Sequence, residues 1–501
     1  MGRLLRRLGK GRRGRVPARG AAGAGLCAAL VLALPGAATA AGNGNPYDFA
    51  EGARTVDGAR SGATAAQLKT GETYRSSLAA GDGVTSYYRV ELDGAATAYA
   101  SVVAVPPLGS GVKAAAADGI AVSLRDGQGN QCDAERATFR SGSYPRPIAV
   151  AVERPVRPGG LRCQAAGTYY VVVERAAAAG SSERDWGLEL RVATEPGLVS
   201  AVPGAGARSW PSEPAALPSG VGARRSGGTG FNDARALTSG AWKDRIGPGQ
   251  SHFYRVPVDW GQQLSLGADL DGSADGGARR GVVPGALDME LYNPARAPVA
   301  TKGATYSGGT TSAAFDPLPP VAYGNRLLSR EDEAAMGLAG WYWLKVTLNP
   351  AMVGKAGGLG MTLRVAVDGA AKQAPDYVRD PGEFQVKDAD LAAAERGEGG
   401  AEWDFGAGSG SGSRSESGTG SGTGSGSGPD ADAGSGSGSG SGSVSGRGGA
   451  SGGAVASSAT SPGSDLMTLV GVAGVGTGSA LVLWLGAWRV VAVRKVRRAQ
   501  G

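Results

Sequence analysis

Four blocks of sequence occur twice, in the same order, between residues 62 and 369, and a repeat of this size constrains the architecture before any single element is assigned. The first block is a turn followed by an aromatic strand. Leu68–Gly71 leads to Tyr87-Tyr88-Arg89-Val90, and Leu237–Gly240 leads to Phe253-Tyr254-Arg255-Val256. The second is apolar alternation: Ile120, Val122 and Leu124 answer Leu287, Met289 and Leu291, and both runs end in polar turns, Asp126-Gly127 and Asn293-Pro294. The third sets Ala166-Gly167-Thr168-Tyr169-Tyr170-Val171-Val172-Val173 against Ala339-Gly340-Trp341-Tyr342-Trp343-Leu344-Lys345-Val346, aromatic and branched residues that suit a pleated, half-buried surface. The fourth, Gly187–Ala193 against Gly360–Ala366, keeps the same offset of 173 residues and alternates strictly.

Period-two alternation, turn residues between short runs and no helical period make the class all-β, with sheets packed face to face. Two tandem β-sandwich domains are expected, residues 62–195 and 229–369, each the size of one compact domain. Residues 196–228 are rich in Pro, Gly and Ser and read as a linker, extended near Pro211, Pro214 and Pro218. Residues 370–405 are acidic and read as weakly structured.

The ends of the chain carry other signals. Residues 1–19 hold eight Lys or Arg, and an apolar run follows to Leu34. Small residues at Ala38 and Ala40 complete a signal-peptide layout over residues 1–40 that takes Cys27 with it. Residues 406–463 are Gly or Ser at 39 of 58 positions, a composition that cannot bury a core and reads as a disordered stalk. Residues 466–488 contain no charge and are long enough for one transmembrane helix; the basic tail 489–501 then belongs in the cytoplasm. The expectation is a single-pass type I protein of the cell membrane with an extracytoplasmic ectodomain. Gly474 and Gly478 form a G-x-x-x-G pair through which two spans could approach. The formal charge of +7 comes from these ends. Removing the 13 basic residues of 1–19 and 489–498 leaves 38 basic against 44 acidic, so no basic stripe awaits a nucleic acid.

The body offers little for catalysis. Its one histidine, His252, lies in an alternating strand with Ser251 on the opposite face, and reads as a surface histidine rather than part of a Ser-His-Asp site. Cys132 and Cys163 fall in the first repeat of an exported chain and are expected to pair, stabilising the fold by about 3 to 4 kcal/mol for a loop of about 30 residues. Asp269, Asp271 and Asp275, interleaved with glycine, are similar to a calcium loop but lack its full spacing and terminal glutamate. Trp341 and Trp343 share one face of a strand and are expected inside the second sandwich, whereas Trp260, in Asp259-Trp260-Gly261, is the candidate for an exposed ligand platform.

The Tyr-Arg-Val strand after a glycine turn, then Asp288-Met289-Glu290-Leu291-Tyr292, then Ala339-Gly340-Trp341-Tyr342, resembles the bacterial pre-peptidase C-terminal domain. In the first repeat Ala121 stands in place of Asp288. The resemblance covers about half the chain and implies jelly-roll-like β-sandwiches that are non-catalytic and serve secretion, binding or adhesion, sometimes with calcium. The overall layout is similar to the membrane-proximal region of actinobacterial surface proteins that carry a von Willebrand factor A domain, without that domain. The function expected is therefore non-enzymatic: a membrane-anchored surface protein displaying two binding modules to a protein or glycan, with no cofactor. The alternative is an accessory docking subunit of a membrane-associated protease or sensor complex, which affinity capture from detergent extracts would distinguish by recovering an enzyme in fixed ratio.

Overall fold

The duplicated blocks become two copies of one strand order. A computed structural model describes residues 46–400, apart from 110, 158, 201–208, 215, 273–281 and 353–357. The expected signal peptide, stalk, membrane span with Gly474 and Gly478, cytoplasmic tail and Asp275 all lie outside the described residues. Among the described residues no helix is long and apolar enough to cross a membrane.

The first sandwich contains β1 (Arg54–Thr55), β2 (Ala66–Leu68), β3 (Thr73–Leu78), β4 (Thr85–Leu92), β5 (Thr97–Val105), β6 (Gly119–Asp126), β7 (Gln131–Thr138), β8 (Ile148–Arg154), β9 (Gly167–Ala176) and β10 (Trp186–Glu195). They form two five-stranded sheets, β1-β3-β10-β5-β8 and β2-β4-β9-β6-β7. The second contains β11 (Ala223–Arg224), β12 (Arg235–Ala236), β13 (Gly240–Ile246), β14 (Ser251–Val258), β15 (Gln263–Leu270), β16 (Val283–Tyr292), β17 (Pro298–Tyr306), β18 (Thr311–Ala314), β19 (Gly340–Leu348) and β20 (Leu359–Asp368). Its sheets run β11-β13-β20-β15-β18 and β12-β14-β19-β16-β17, the first copy's order displaced by ten strands. Register repeats as well: Leu124 sits opposite Val171 and Leu291 opposite Leu344, residues that the repeat aligns.

The fold is therefore all-β, two sandwiches of four sheets in total, as the alternation indicates. Both domains start earlier than expected. β1 at Arg54 already pairs with β3, and β11 at Ala223 pairs with β13, because short parallel edge strands precede the first block of each repeat.

Each sandwich has its own apolar interior. Tyr88, Val90, Val122, Leu124, Val171 and Val173 fill the first, and Tyr254, Val256, Met289, Leu291, Leu344 and Val346 fill the second. The faces turned away from these interiors are not all solvated. Val103 of β5 and Ala149 of β8 meet Phe253, Tyr292 and Trp343 of the second sandwich, with Tyr47 and Phe231 between them, in a separate apolar cluster. One sheet of each copy thus packs on the other copy.

This arrangement corrects the expectation for Trp341 and Trp343. Alternation does put them on one face of β19, but Tyr342, Leu344, Val346 and Leu348 hold the interior, and the two tryptophans face the first sandwich. Residues 370–400, expected to be weakly structured, are ordered across the junction. Phe384 is fully buried against Tyr99 at 5.2 Å between ring centroids, and Glu383 pairs with Arg191 at 3.0 Å. A helix, α2 (Asp388–Arg396), follows. It starts where the Asp390 carboxylate accepts from the Lys387 backbone N–H at 2.8 Å, ends at Gly397 with φ 66°, and takes a hydrogen bond from the Trp341 indole to Asp390 at 2.9 Å.

Candidate functional site

Where the two sandwiches meet, a groove of about 640 Å³ stays open. One wall is β7 and β8 of the first sandwich, and the other is the approach to β17 and the single-turn helix α1 (Glu331–Ala334) of the second. The volume falls within the range of roughly 300 to 1,000 Å³ of small-molecule sites. It exists because α1 and β17 stand off from the β7–β8 corner while the rest of the junction closes.

At one end of the groove the chain spends buried charge on holding the sandwiches together. Glu195 of β10, 1% exposed, accepts two hydrogen bonds from Arg326 at 2.6 and 2.7 Å, one from Tyr99 at 3.0 Å and one from Tyr377 at 2.6 Å. A two-pronged guanidinium contact of this kind fixes orientation as well as distance. Beyond the groove, past a recess of about 150 Å³ that shares Arg136 and Pro298 with it, Glu290 of β16 lies 2.9 Å from both Lys345 and Arg140 and 3.8 Å from Arg146. Burial pushes Glu290 up, but Lys345, Arg146 and Arg140 outweigh it and hold the carboxyl well below the usual range. Glu189 of β10 anchors a third point, accepting from Arg296 at 2.7 Å, Asn232 at 2.8 Å and the Tyr47 hydroxyl at 3.1 Å.

The groove walls behave differently. Asp133, Glu135 and Glu153 come from the first sandwich and Glu331 from the second. Burial raises Glu135, and the charges of Asp133 and Glu331 raise it further; Glu153 is raised by burial and then by Asp133. Arg157 approaches Glu153 only at 3.9 Å, and Arg326 is committed to Glu195. Carboxylates from both copies face one another across the opening, four acids against Arg136, Arg157 and the already engaged Arg326 in the same lining.

The residues singled out by sequence are dispersed. Cys132 and Cys163 form a disulfide with Cα atoms 5.7 Å apart, and Cys132 lies in the groove wall. Asp269 is engaged by Arg364 at 2.7 Å and by Ser312 at 2.6 Å, so its carboxylate serves the outer face of β15, and the nearby Asp271 is pressed against Gly360. Among the described residues no group of three metal-ligating side chains occurs.

Trp260 is not an exposed platform. It is 3% exposed and belongs to the interior of the second sandwich. His252 is likewise not a surface residue. It is fully buried on the inward face of β14, with Nδ1 2.6 Å from Asp244, which also accepts from Tyr254 at 2.5 Å. The repeat places Ser86, Ser76 and Tyr88 at the equivalent positions in the first sandwich. The groove is not legible in the sequence, since its residues come from five separated segments. The acidic run Glu331-Asp332-Glu333 and the Asp133–Glu135 alternation were the only available traces.

No protein-family description matches the chain, and no curated protein matches it. Among solved structures, similarity is found to the CUB1-EGF-CUB2 region of human MASP-1/3, at 7% identity and a TM-score of 0.14, covering 59% of this chain and 99% of that one. The ANX1 ectodomain from Arabidopsis thaliana aligns at 9% identity and a TM-score of 0.18, over 60% of this chain and 89% of that one. A secreted protein from Parabacteroides distasonis aligns at 10% identity and a TM-score of 0.15, again over 60% and 89%. Similarities of this size carry no functional conclusion, and the chain's affinities rest on its own duplicated all-β fold.

Proposed function

We propose that this chain is a non-catalytic binding protein of the cell envelope, held to the membrane by residues 466–488 and carrying its two sandwiches on the outer side at the end of the 406–463 stalk. The groove between the copies receives the ligand, and the ligand presents an ammonium or guanidinium group. The observation that carries this reading is the meeting of Glu135 and Glu331, one from each copy, across an opening of about 640 Å³. A cation placed between them would relieve a repulsion already present, which is why the groove selects charge. The reading agrees with the role implied by the pre-peptidase C-terminal resemblance, in which such sandwiches bind rather than catalyse. The single histidine is enclosed in the second core, away from the groove.

The test uses the full-length protein with two probes, a lysine-rich peptide and a glucosamine oligomer. Binding is expected to weaken roughly tenfold or more in Glu135→Lys combined with Glu331→Lys, since each change replaces an attraction with a repulsion. Because burial, and then the charges of Asp133 and Glu331, raise Glu135, its protonation removes part of the attraction, so affinity is expected to fall as pH drops through the raised range of that carboxylate. Unchanged binding in the double variant would exclude the groove.

A further inference from the structure

The first sandwich contains a second, chemically opposite feature at the end of β9. Arg175 is 2% exposed, and its guanidinium carbon stands 3.4 Å from the ring centre of Trp186. Its backbone is fixed by hydrogen bonds with Val84 and Gly83, at 2.8 and 2.9 Å. Its side chain is not satisfied: the buried Nε and Nη1 have no hydrogen-bond partner. Asp118 lines the same pocket, but its two oxygens accept the backbone N–H groups of Ala178 at 2.7 Å and Ala115 at 2.9 Å. A buried guanidinium with idle donors is costly, because water has been removed and nothing replaces it.

The internal repeat shows that the fold does not need this arginine. The register of the sheets places Leu348 of β19 where Arg175 stands, and Leu359 of β20 where Trp186 stands. In the second copy, Leu348 is fully buried in the interior and Leu359 packs against it from the edge. A leucine pair fills the same corner of the same fold, so the Arg175–Trp186 pair is a departure that strand packing does not explain. The surroundings indicate what it serves. Lys113, Arg175 and Arg184 set three basic groups against Asp118 in the pocket lining, and prolines 106, 107 and 145 form rigid apolar walls. The room inside is about 10 Å³, on the scale of one water-sized probe, so only the leading atom of a ligand enters it.

We propose that the Arg175–Trp186 pocket is a carboxylate-binding site, in which the edge of a ligand carboxylate occupies the idle guanidinium donors while its remainder lies along the proline walls. The guanidinium is already desolvated and held in place by the indole, so the ordering cost of a charge-assisted pair is met before the ligand arrives. Burial also lowers the Arg175 guanidinium to about 10, against the charges of Asp118 and Asp185, and an entering anion would reverse that shift. This site is independent of the inter-sandwich groove and takes the opposite charge.

Acetate is the minimal probe, titrated into the full-length protein while melting temperature and tryptophan fluorescence are followed. A saturable rise in melting temperature, half-complete on the order of 10 mM, is expected together with a change in emission. Arg175→Leu copies the second sandwich and is expected to fold. It should lose the saturable response, and Trp186→Phe should lose the emission change. Glucuronate and N-acetylaspartate then separate a sugar from a peptide source, and tighter binding of either than of acetate supports the site. An equal acetate response in Arg175→Leu, no response in the wild type, or a stronger response to sulfate than to acetate would each overturn the assignment.

Discussion

Glu290 shows how one buried carboxylate can hold two modules together. It is nearly buried, is bonded by Tyr292 from its own strand, and faces Lys345 of the neighbouring strand β19 and Arg140 and Arg146 of the first sandwich. Lys345 is 1% exposed and also donates to the Pro147 carbonyl at 2.6 Å, so it too ties β19 to the other copy. Removing the acid alone would strand buried cations. Glu290→Gln is therefore expected to destabilise the protein by about 3 to 5 kcal/mol, whereas Arg140→Ala, whose side chain is 45% exposed, should cost no more than about 1 kcal/mol. Chemical denaturation measures both. The pH dependence has a definite sign. Because the folded-state value of Glu290 is depressed, its contribution is complete above the unfolded carboxylate value of about 4.3 and disappears as pH falls toward the folded value. Wild type should lose stability below about pH 4 more steeply than Glu290→Gln. Parallel curves would show that the cluster does not hold the Glu290 carboxyl below its unfolded value.

At the scale of the strand, the repeated Ala-Gly that opens β9 and β19 separates two uses of glycine. Gly340 has φ 135° and lies so close to the strap that an added Cβ would meet the Glu383 carbonyl at 2.5 Å; Gly167, at φ 149°, has open space around it. Both backbones favour glycine, but only one position is also crowded. Gly167→Ala should cost about 1 to 3 kcal/mol for the backbone alone, and Gly340→Ala more, with the strap 370–400 losing protection in hydrogen exchange. Equal costs and an unaltered strap would show that the close approach is unimportant. These strands also mark how far the sequence could be read. Strand positions in both copies and the two alternating faces of each strand follow from period-two alternation and the repeat. Which outer face is covered does not, because alternation reports two faces without saying what lies against either. Alternation sets Trp341 and Trp343 on one common face but leaves open which side of the sheet that is, and polar neighbours in sequence disguise the burial of Trp260 and His252. The groove was invisible for the same reason: Glu135 and Glu331 are 196 positions apart in sequence and meet only through the packing of one sandwich on the other.

Across the whole described unit, the differences between the copies follow which face is covered. Val103 and Val105 of β5 lie on the covered face and pack in the junction cluster; the register assigns Asp269 and Asp271 to the equivalent sites of the second copy, against which no sandwich packs among the described residues. Polar residues stand on that counterpart, as on the outer face of a solenoid's terminal repeat. The linker reinforces this, since Gln263 donates to the Pro211 carbonyl at 2.8 Å and Arg364 to the Pro218 carbonyl at 2.6 Å on that same outer face. The two sandwiches are therefore not independent beads on a string. They share an apolar cluster, three buried carboxylates and the strap. Heating the full-length protein should give a single calorimetric transition for both, with calorimetric and van't Hoff enthalpies equal. Arg326→Ala removes the paired contacts to Glu195 and leaves that carboxylate buried, and is expected to split the transition in two, the first sandwich retaining its disulfide and melting separately. Reduction should then lower only that component, by about 3 to 4 kcal/mol for a separation of 31 residues. Two well-separated transitions in the wild type would mean that the junction is a contact between finished domains, and the groove would then open and close with their motion instead of being built into the fold.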